Sequence, residues 1–212
     1  MRKMRWLPIG SWEPHGGHLP YDTDTRIASA LCQACAQPED IVLPAVPYGC
    51  SFEHRGLGAM VSIRVSHFAA FVTDIVWAQS DPLVIINGHG GNQVLGSLVQ
   101  EWNADGARVL LLPDRSQWTF AYQAAGWNFG PHEDMHAGAL ERSLLLYLAP
   151  EMVNPQIPAD VHQPHRPYFT AAGLHKYTAS GVIGLPSYAS REAGERAWNA
   201  LVGQIRALVK EW

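Results

Sequence analysis

The stretch Leu83-Val84-Ile85-Ile86-Asn87-Gly88-His89-Gly90-Gly91-Asn92 decides the fold. Its first four residues are apolar without alternation, which suits a strand covered on both faces by helix layers, as in a parallel sheet. The run then stops at a polar turn with three glycines, and ligands gather beyond the carboxyl ends of parallel strands. Working outward, short apolar runs alternate with longer amphipathic ones. Strands are expected at 7–9, 41–46, 60–63, 83–86 and 108–112, and helices at 23–35, 66–80, 93–103, 138–148 and 190–212. This order predicts an α/β protein with a parallel sheet between helices. The final helix carries Trp198, Leu201, Val202, Ile205, Leu208 and Val209 on one side, a core-packing stripe. Residues 150–177, rich in Pro, His and aromatics, show no period and are expected to form a long loop near a site or subunit contact.

At 212 residues the chain suits one domain spanning 1–212. A net charge of −4 offers no basic footprint for nucleic acid or an anionic membrane, so a weakly charged small molecule or peptide is the expected partner. The opening MRKMRWLPIGSW has no apolar run of signal-peptide length, and no segment matches a membrane span; a cytoplasmic location is expected. Three cysteines cannot all pair, and the single C-x-x-C at Cys32 and Cys35 falls in an apolar helical stretch, where buried thiols are expected rather than a zinc or redox pair.

The densest chemistry lies in GSWEPHGGHLPYDTD, residues 10–24, where Glu13, His15, His18, Asp22 and Asp24 crowd the turn after the first strand. Carboxylates and neutral imidazoles together suit a divalent cation such as Zn, Mn or Fe, and one carboxylate can bridge two ions. A polar surface loop is the competing reading. His89 emerges at the end of the next buried strand and is the next expected ligand. The turn around it could instead cradle a phosphate, although it has neither G-x-G-x-x-G nor a P-loop lysine. In MHAGALERS, residues 135–143, a helix is expected to start between His136 and Glu141, leaving His136 on the entry loop. Glu141 is expected as a ligand, with a helix cap as the alternative. No G-x-S-x-G elbow supports a nucleophilic serine.

Taken together, E-x-H-G-x-H-L-P-x-x-x-D, NGHGGN, H-A-G-x-x-E-x-S, YGCSFEHRG (48–56) and GVIGLPSYASREAG (181–194) resemble the creatininase family over most of the chain. Within it the likeness is to the branch of creatininase-like peptidases of mycofactocin biosynthesis. The resemblance implies a three-layer α/β/α fold with a mostly parallel sheet, two divalent metal ions per subunit, and a homo-oligomer, often a hexamer. It implies Glu13, Asp24 and His89 at one metal, and His15 with bridging Asp24 at the other. The implied reaction is cleavage of a C–N amide bond by metal-activated water, with His136 protonating the leaving nitrogen. Ser51, Glu53, His54 and the backbone at Gly90 are expected to contact substrate or orient ligands. Two departures stand out: creatininase has a Glu where this chain has Gly91, which argues against creatinine and makes Glu141 the expected replacement ligand, and Arg142 stands where many relatives have Thr. The resulting expectation is a metal-dependent amidohydrolase that trims a modified peptide precursor. The alternatives are a small cyclic amide hydrolase or deformylase, and an inactive metal-stabilised binding protein.

Overall fold

In a computed structural model of the protein, which describes residues 3–212, strands β1 (Arg5–Ile9), β2 (Ile41–Val42), β3 (Leu83–Asn87) and β4 (Val109–Leu112) pair in parallel. Their order is β2-β1-β3-β4. β1 and β3 run in full register from Arg5 beside Leu83 to Ile9 beside Asn87. Successive side chains point to opposite faces, so Trp6, Val84 and Ile86 enter one core while Leu7, Ile9, Leu83 and Ile85 enter the other. Helices α1 (Thr23–Cys35), α4 (Arg115–Ala125), α5 (Ala139–Leu148) and α7 (Arg191–Glu211) contribute to the first core through residues such as Leu31, Ala121, Leu144 and Leu201. Helices α2 (Val65–Trp77) and α3 (Val94–Ala104) cover the other face through Phe68, Val72, Leu95 and Trp102. The result is three layers around a sheet that is parallel throughout.

The edge at β2 is shorter than expected. Leu43 N–H still donates to Trp6 O at 2.8 Å and Val46 N–H to Pro8 O at 2.9 Å, but Pro44 has no N–H to give, and regular pairing ends at Val42. Pro8 faces this same loosened edge, which is why a proline is tolerated within β1. The strand expected at 60–63 is reduced to one bridge, Val61 opposite Trp12, because no second strand lies beside it. Residues 150–177 contain a short helix, α6 (Phe169–Ala172), and two 3-10 turns, Pro150–Met152 and Leu174–Lys176.

α4 is an addition to the expected elements. Asp114 accepts from the N–H groups of Ser116 and Gln117 while the Gln117 side chain accepts from Asp114 N–H, a complete capping box, and Gly126 closes the helix with φ 90°. Along α7, Trp198, Leu201 and Ile205 are buried, and Val202, Leu208 and Val209 pack partly buried against them. Cys32 and Cys35 are buried free thiols, and burial pushes Cys35 up to about 12, far from a reactive thiolate. Among the described residues no helix is long and apolar enough to cross a membrane.

The strand order places a switch point between β1 and β3. From β1 the chain first goes out to β2, then returns past β1 to β3, so the connections leaving the carboxyl ends of β1 and β3 diverge. The crevice so formed receives Gly10–His15 from one side and Gly88–Asn92 from the other.

Candidate metal centre

Two close backbone approaches bring these turns together. A Cβ on Gly10 would lie 2.2–2.5 Å from Thr25 atoms, and one on Gly88 would lie 2.4 Å from Asp24 O, so both strand ends press on the first turn of α1. That contact buries Asp24 within α1 and aims it at the crevice. Asn92 then ties three loops: its amide oxygen accepts from Cys50 N–H at 2.9 Å, and its amide nitrogen donates to Gly10 O at 3.3 Å and Asn87 Oδ1 at 3.0 Å.

Glu13, His15, Asp24 and His89 are all buried and converge there. His15 Nε2 lies 3.1 Å from Asp24 Oδ1, and His89 Nδ1 lies 3.1 Å from Asp24 Oδ2 and 3.3 Å from Glu13 Oε1. Glu13, Asp24 and His89 offer ligand atoms that all fall within 4.8 Å of one another, as do His15, His136 and Glu141, and Glu13, His54 and His136. Glu141 divides its carboxylate: Oε2 accepts from Ala137 N–H at 2.6 Å, tying the start of α5, while Oε1 stands 4.0 Å from His15 Nε2. The oxygen that ties the helix start is therefore not the one that faces His15.

The tautomers follow from the partners. His15 Nδ1 faces Glu13 O at 3.0 Å and His89 Nε2 faces Cys50 O at 3.0 Å; a carbonyl oxygen only accepts, so these nitrogens carry the protons. The opposite nitrogens, His15 Nε2 and His89 Nδ1, therefore point bare lone pairs at carboxylate oxygens when the rings are neutral. Glu13 Oε1 and Asp24 Oδ2 have no hydrogen-bond partner although both are buried. Lone pair against lone pair at about 3 Å is repulsive unless a positive charge sits between them. Without a cation that charge is a proton. Burial opposes charging His15, but Asp24, with Glu141 and Glu13, holds its pKa up at about 10; His89 is raised in the same way by Glu13 and Asp24 against its burial. The donor set of carboxylate and imidazole suits a divalent cation in the same place.

His136 differs in kind. Its Nε2 donates to Pro14 O at 2.8 Å, and burial, reinforced by His15 and His54, keeps the ring neutral well below its ordinary pKa, with Nδ1 bare 3.8 Å from Glu13 Oε1. His54 stands against it, Nε2 to Nε2 at 3.2 Å, and 3.3 Å from Glu13 Oε1. His54, expected from the sequence to contact substrate or orient ligands, stands beside the cluster and also lines the cavity above it. Glu53 Oε1 lies 3.3 Å from His89 Nε2, behind the ring rather than on its open side. A Cβ on Gly91 would come within 2.2 Å of Cys50 O, 2.3 Å of His89 Nε2 and 2.4 Å of Glu53 Oε1, so no side chain fits this turn at 91 as it is folded.

The remaining expected residues separate. Gly90 lines a cavity of about 690 Å³ above the cluster, with open space where its side chain would be. Ser51, expected to contact substrate or orient ligands, is fully buried with its hydroxyl toward Val61 O at 3.5 Å, and it does not line this cavity. Asp22 leaves the cluster for Arg26, 2.7 Å away, and His18 has no partner on either ring nitrogen. Asn92 and Asp134 are the supporting residues that sequence reasoning missed; Asn92 at least sits at the end of the NGHGGN turn, where a buried amide is the natural tie between loops. A second groove of about 900 Å³ between the β2 edge and α2 is lined mainly by apolar residues and contains no comparable cluster.

A chain with this sheet, this switch point and this cluster finds counterparts. The mycofactocin precursor peptide peptidase of Mycobacterium ulcerans (strain Agy99) is 31% identical over 226 residues, covering 97% of this chain and 84% of the relative. Creatinine amidohydrolase of Pseudomonas putida is 25% identical over 234 residues, covering 97% and 88%. A solved structure described as creatininase Mn superposes with a TM-score of 0.80 at 24% identity, covering 98% of this chain and 90% of the other. The model of the creatininase (creatinine amidohydrolase) family matches residues 2–209, nearly the whole chain, and with the relatives above it makes this protein a hydrolase of the creatininase family.

Proposed function

We propose that the protein is a metal-dependent hydrolase that cleaves an amide bond in a peptide, with two divalent ions, Zn, Mn or Fe, held by Glu13, Asp24 and His89 and by His15, Asp24 and Glu141. The observation that carries this reading is the convergence of two imidazole lone pairs with unpartnered buried carboxylate oxygens on the floor of an open cavity. When bound, such ions acidify water and polarise an amide carbonyl. The residues do the rest. Cys50 O and Glu13 O hold His89 and His15 by their outer N–H groups, so each ring presents one fixed nitrogen. His136, neutral and anchored through Nε2 to Pro14 O, has Nδ1 free to accept a proton from the attacking water and return it to the leaving nitrogen.

The size of the cavity favours a peptide. About 690 Å³ accommodates several residues of a chain and is far larger than a five-membered cyclic amide needs. Its upper wall, from Phe52, Val65 and Phe169 to Leu174, offers apolar surface for side chains flanking the cut bond. The peptidase relatives point the same way. The test is to load metal-stripped protein with Mn²⁺, Zn²⁺ or Fe²⁺, count metal per chain, and follow creatinine and a peptide library by mass spectrometry. Peptide cleavage at a defined bond, lost on chelation and accompanied by about two ions per chain, is expected. Turnover of creatinine with no peptide cut would reverse the substrate assignment; no metal uptake would end the mechanism.

Metal loading should also release protons. At pH 7 the metal-free cluster keeps His15 and His89 protonated, since both are raised above their ordinary pKa, and cations must displace those protons. Calorimetry in buffers of different ionisation heat should show about two protons released per chain at pH 7 from the histidines, with a further fraction from Glu141, whose carboxyl burial raises to about 7. Apparent affinity should strengthen as pH rises toward about 10, where His15 deprotonates unaided. Affinity independent of pH would contradict the assignment.

A further inference from the structure

Outside the ligand cluster and its cavity, two buried polar side chains lack partners in the same small region. Arg142, on α5, is 3% exposed. Its Nη2 donates to Asn154 O at 3.1 Å, but Nη1 is buried with no hydrogen-bond partner, and among the described residues no carboxylate pairs with the guanidinium. His18, also 3% exposed, has neither ring nitrogen partnered. Asn154 links the two, since its own N–H donates to His18 O at 2.9 Å while its carbonyl takes Arg142. Neither residue lines the cavity above the cluster. The chain around them is apolar: Leu19, Leu140 and Val153, each next in sequence or close to one of the three, belong to the buried core.

A buried guanidinium with no counterion is among the costliest arrangements a core can hold, because desolvation is not repaid by a paired charge. His15 and His89 of the ligand cluster each have a carboxylate beside them, whereas among the described residues Arg142 has none paired with it. Burial, opposed by the backbone of Gly16 and joined by the nearby charges of Arg142 and His15, pushes His18 down to about 4, so the ring is neutral at physiological pH and carries one N–H. A water molecule would satisfy hydrogen bonds here but leave the positive charge uncompensated. A small monoanion would do both.

We propose that Arg142 and His18 form a buried binding site for a small inorganic monoanion, of which chloride is the simplest, contacted by Arg142 Nη1 and a ring N–H of His18. The site is separate from the hydrolytic centre, and its existence does not depend on the proposed substrate. Two measurements on the full chain test it. Crystals grown or soaked in sodium bromide should show an anomalous peak between Nη1 of Arg142 and the His18 ring. Thermal unfolding in sodium bromide or chloride should exceed that in sodium gluconate, whose anion is too large to enter, at equal ionic strength; the increment should saturate and reach about 5 °C or more at about a hundredfold excess over Kd. In Arg142→Met the halide-specific increment should vanish, and in His18→Gln it should shrink. If Arg142→Met fails to fold, the wild-type bromide map and the His18→Gln titration still decide. Map density without an anomalous peak, or coincident unfolding curves in halide and gluconate, would overturn the proposal.

Discussion

Asp24→Asn is expected to lower metal content from about two ions per chain to below one and to reduce kcat/KM for peptide cleavage by about 10³-fold or more, roughly 4 kcal/mol of transition-state stabilisation. Asp24 alone faces both histidines from a single carboxylate, Oδ1 toward His15 and Oδ2 toward His89, each at 3.1 Å. An amide keeps the shape of this group but replaces one oxygen with an N–H donor, which would satisfy one imidazole lone pair directly and exclude the cation from that side. It also removes the charge that opposes the positive charge of either a metal or a protonated ring. Asp22→Asn is the control, since that carboxylate is turned to Arg26 at 2.7 Å and is partly exposed. It should leave metal content and turnover within about twofold, the ordinary range for a surface ion pair. Wild-type metal content in Asp24→Asn, with activity within tenfold, would remove Asp24 from the centre and the two-ion reading with it.

How far the sequence carried depended on whether a feature was local. The Leu83–Asn87 strand was legible because a run apolar on both faces has few other solutions, and the neighbouring glycine turn marked where a ligand could be met. Helix α1 has the predicted bounds, Thr23–Cys35, since its apolar period is clean. Helix α4 was equally legible and was not assigned: Asp114 and Gln117 form a capping box, residues 118, 121, 122 and 125 have helical spacing, and Gly126 ends it. The error at 60–63 is of another kind, because β-branched residues indicate a strand only where a partner strand exists, and here the segment meets loop backbone, with one bridge to Trp12 and one bond from Ile63 N–H to Gly49 O. Within the site, the crowding of Glu13, His15 and Asp24 was visible as spacing. The placement of His54 against His136, 82 residues apart, comes from the packing of one loop over another and has no local signature. The same holds for the burial of Ser51 away from the cavity and for the collision that keeps position 91 free of a side chain.

Asp134 is the clearest instance of a residue whose importance only the tertiary structure reveals, and its replacement by alanine should cost about 3–5 kcal/mol of folding stability. The carboxylate is 4% exposed and accepts from Ala139 N–H at 2.8 Å, Leu140 N–H at 3.0 Å, Leu185 N–H at 2.7 Å and the Tyr122 hydroxyl at 2.9 Å. Two of these donors are the first free N–H groups of α5, so the charge also lies at the positive end of that helix dipole. The spacing hides this role. A conventional cap lies immediately before its helix, whereas Asp134 reaches donors five and six residues on because the chain doubles back through Ala137, held at φ 51°. Glycine at 138 and 184 makes room, since a Cβ at either position would lie 1.9 Å or 2.6 Å from Asp134 Oδ1. Alanine would leave the Ala139, Leu140 and Leu185 N–H groups without their acceptor, while the Tyr122 hydroxyl would keep only its bond to Asp134 O at 2.7 Å. Because His136 lies two residues away on the same looped segment and pairs with Ile183 across it, the loss should extend to catalysis: kcat should fall more than KM changes, while metal content, for which only Glu141 of the proposed ligands lies on α5 and the others lie in the turn after β1, on α1 and in the β3 turn, should decline less. Chemical denaturation of Asp134→Ala beside Asp134→Asn, which retains one acceptor oxygen, should order the three proteins as wild type, asparagine, alanine. Equal stabilities would show that the backbone of this segment holds its shape without the carboxylate.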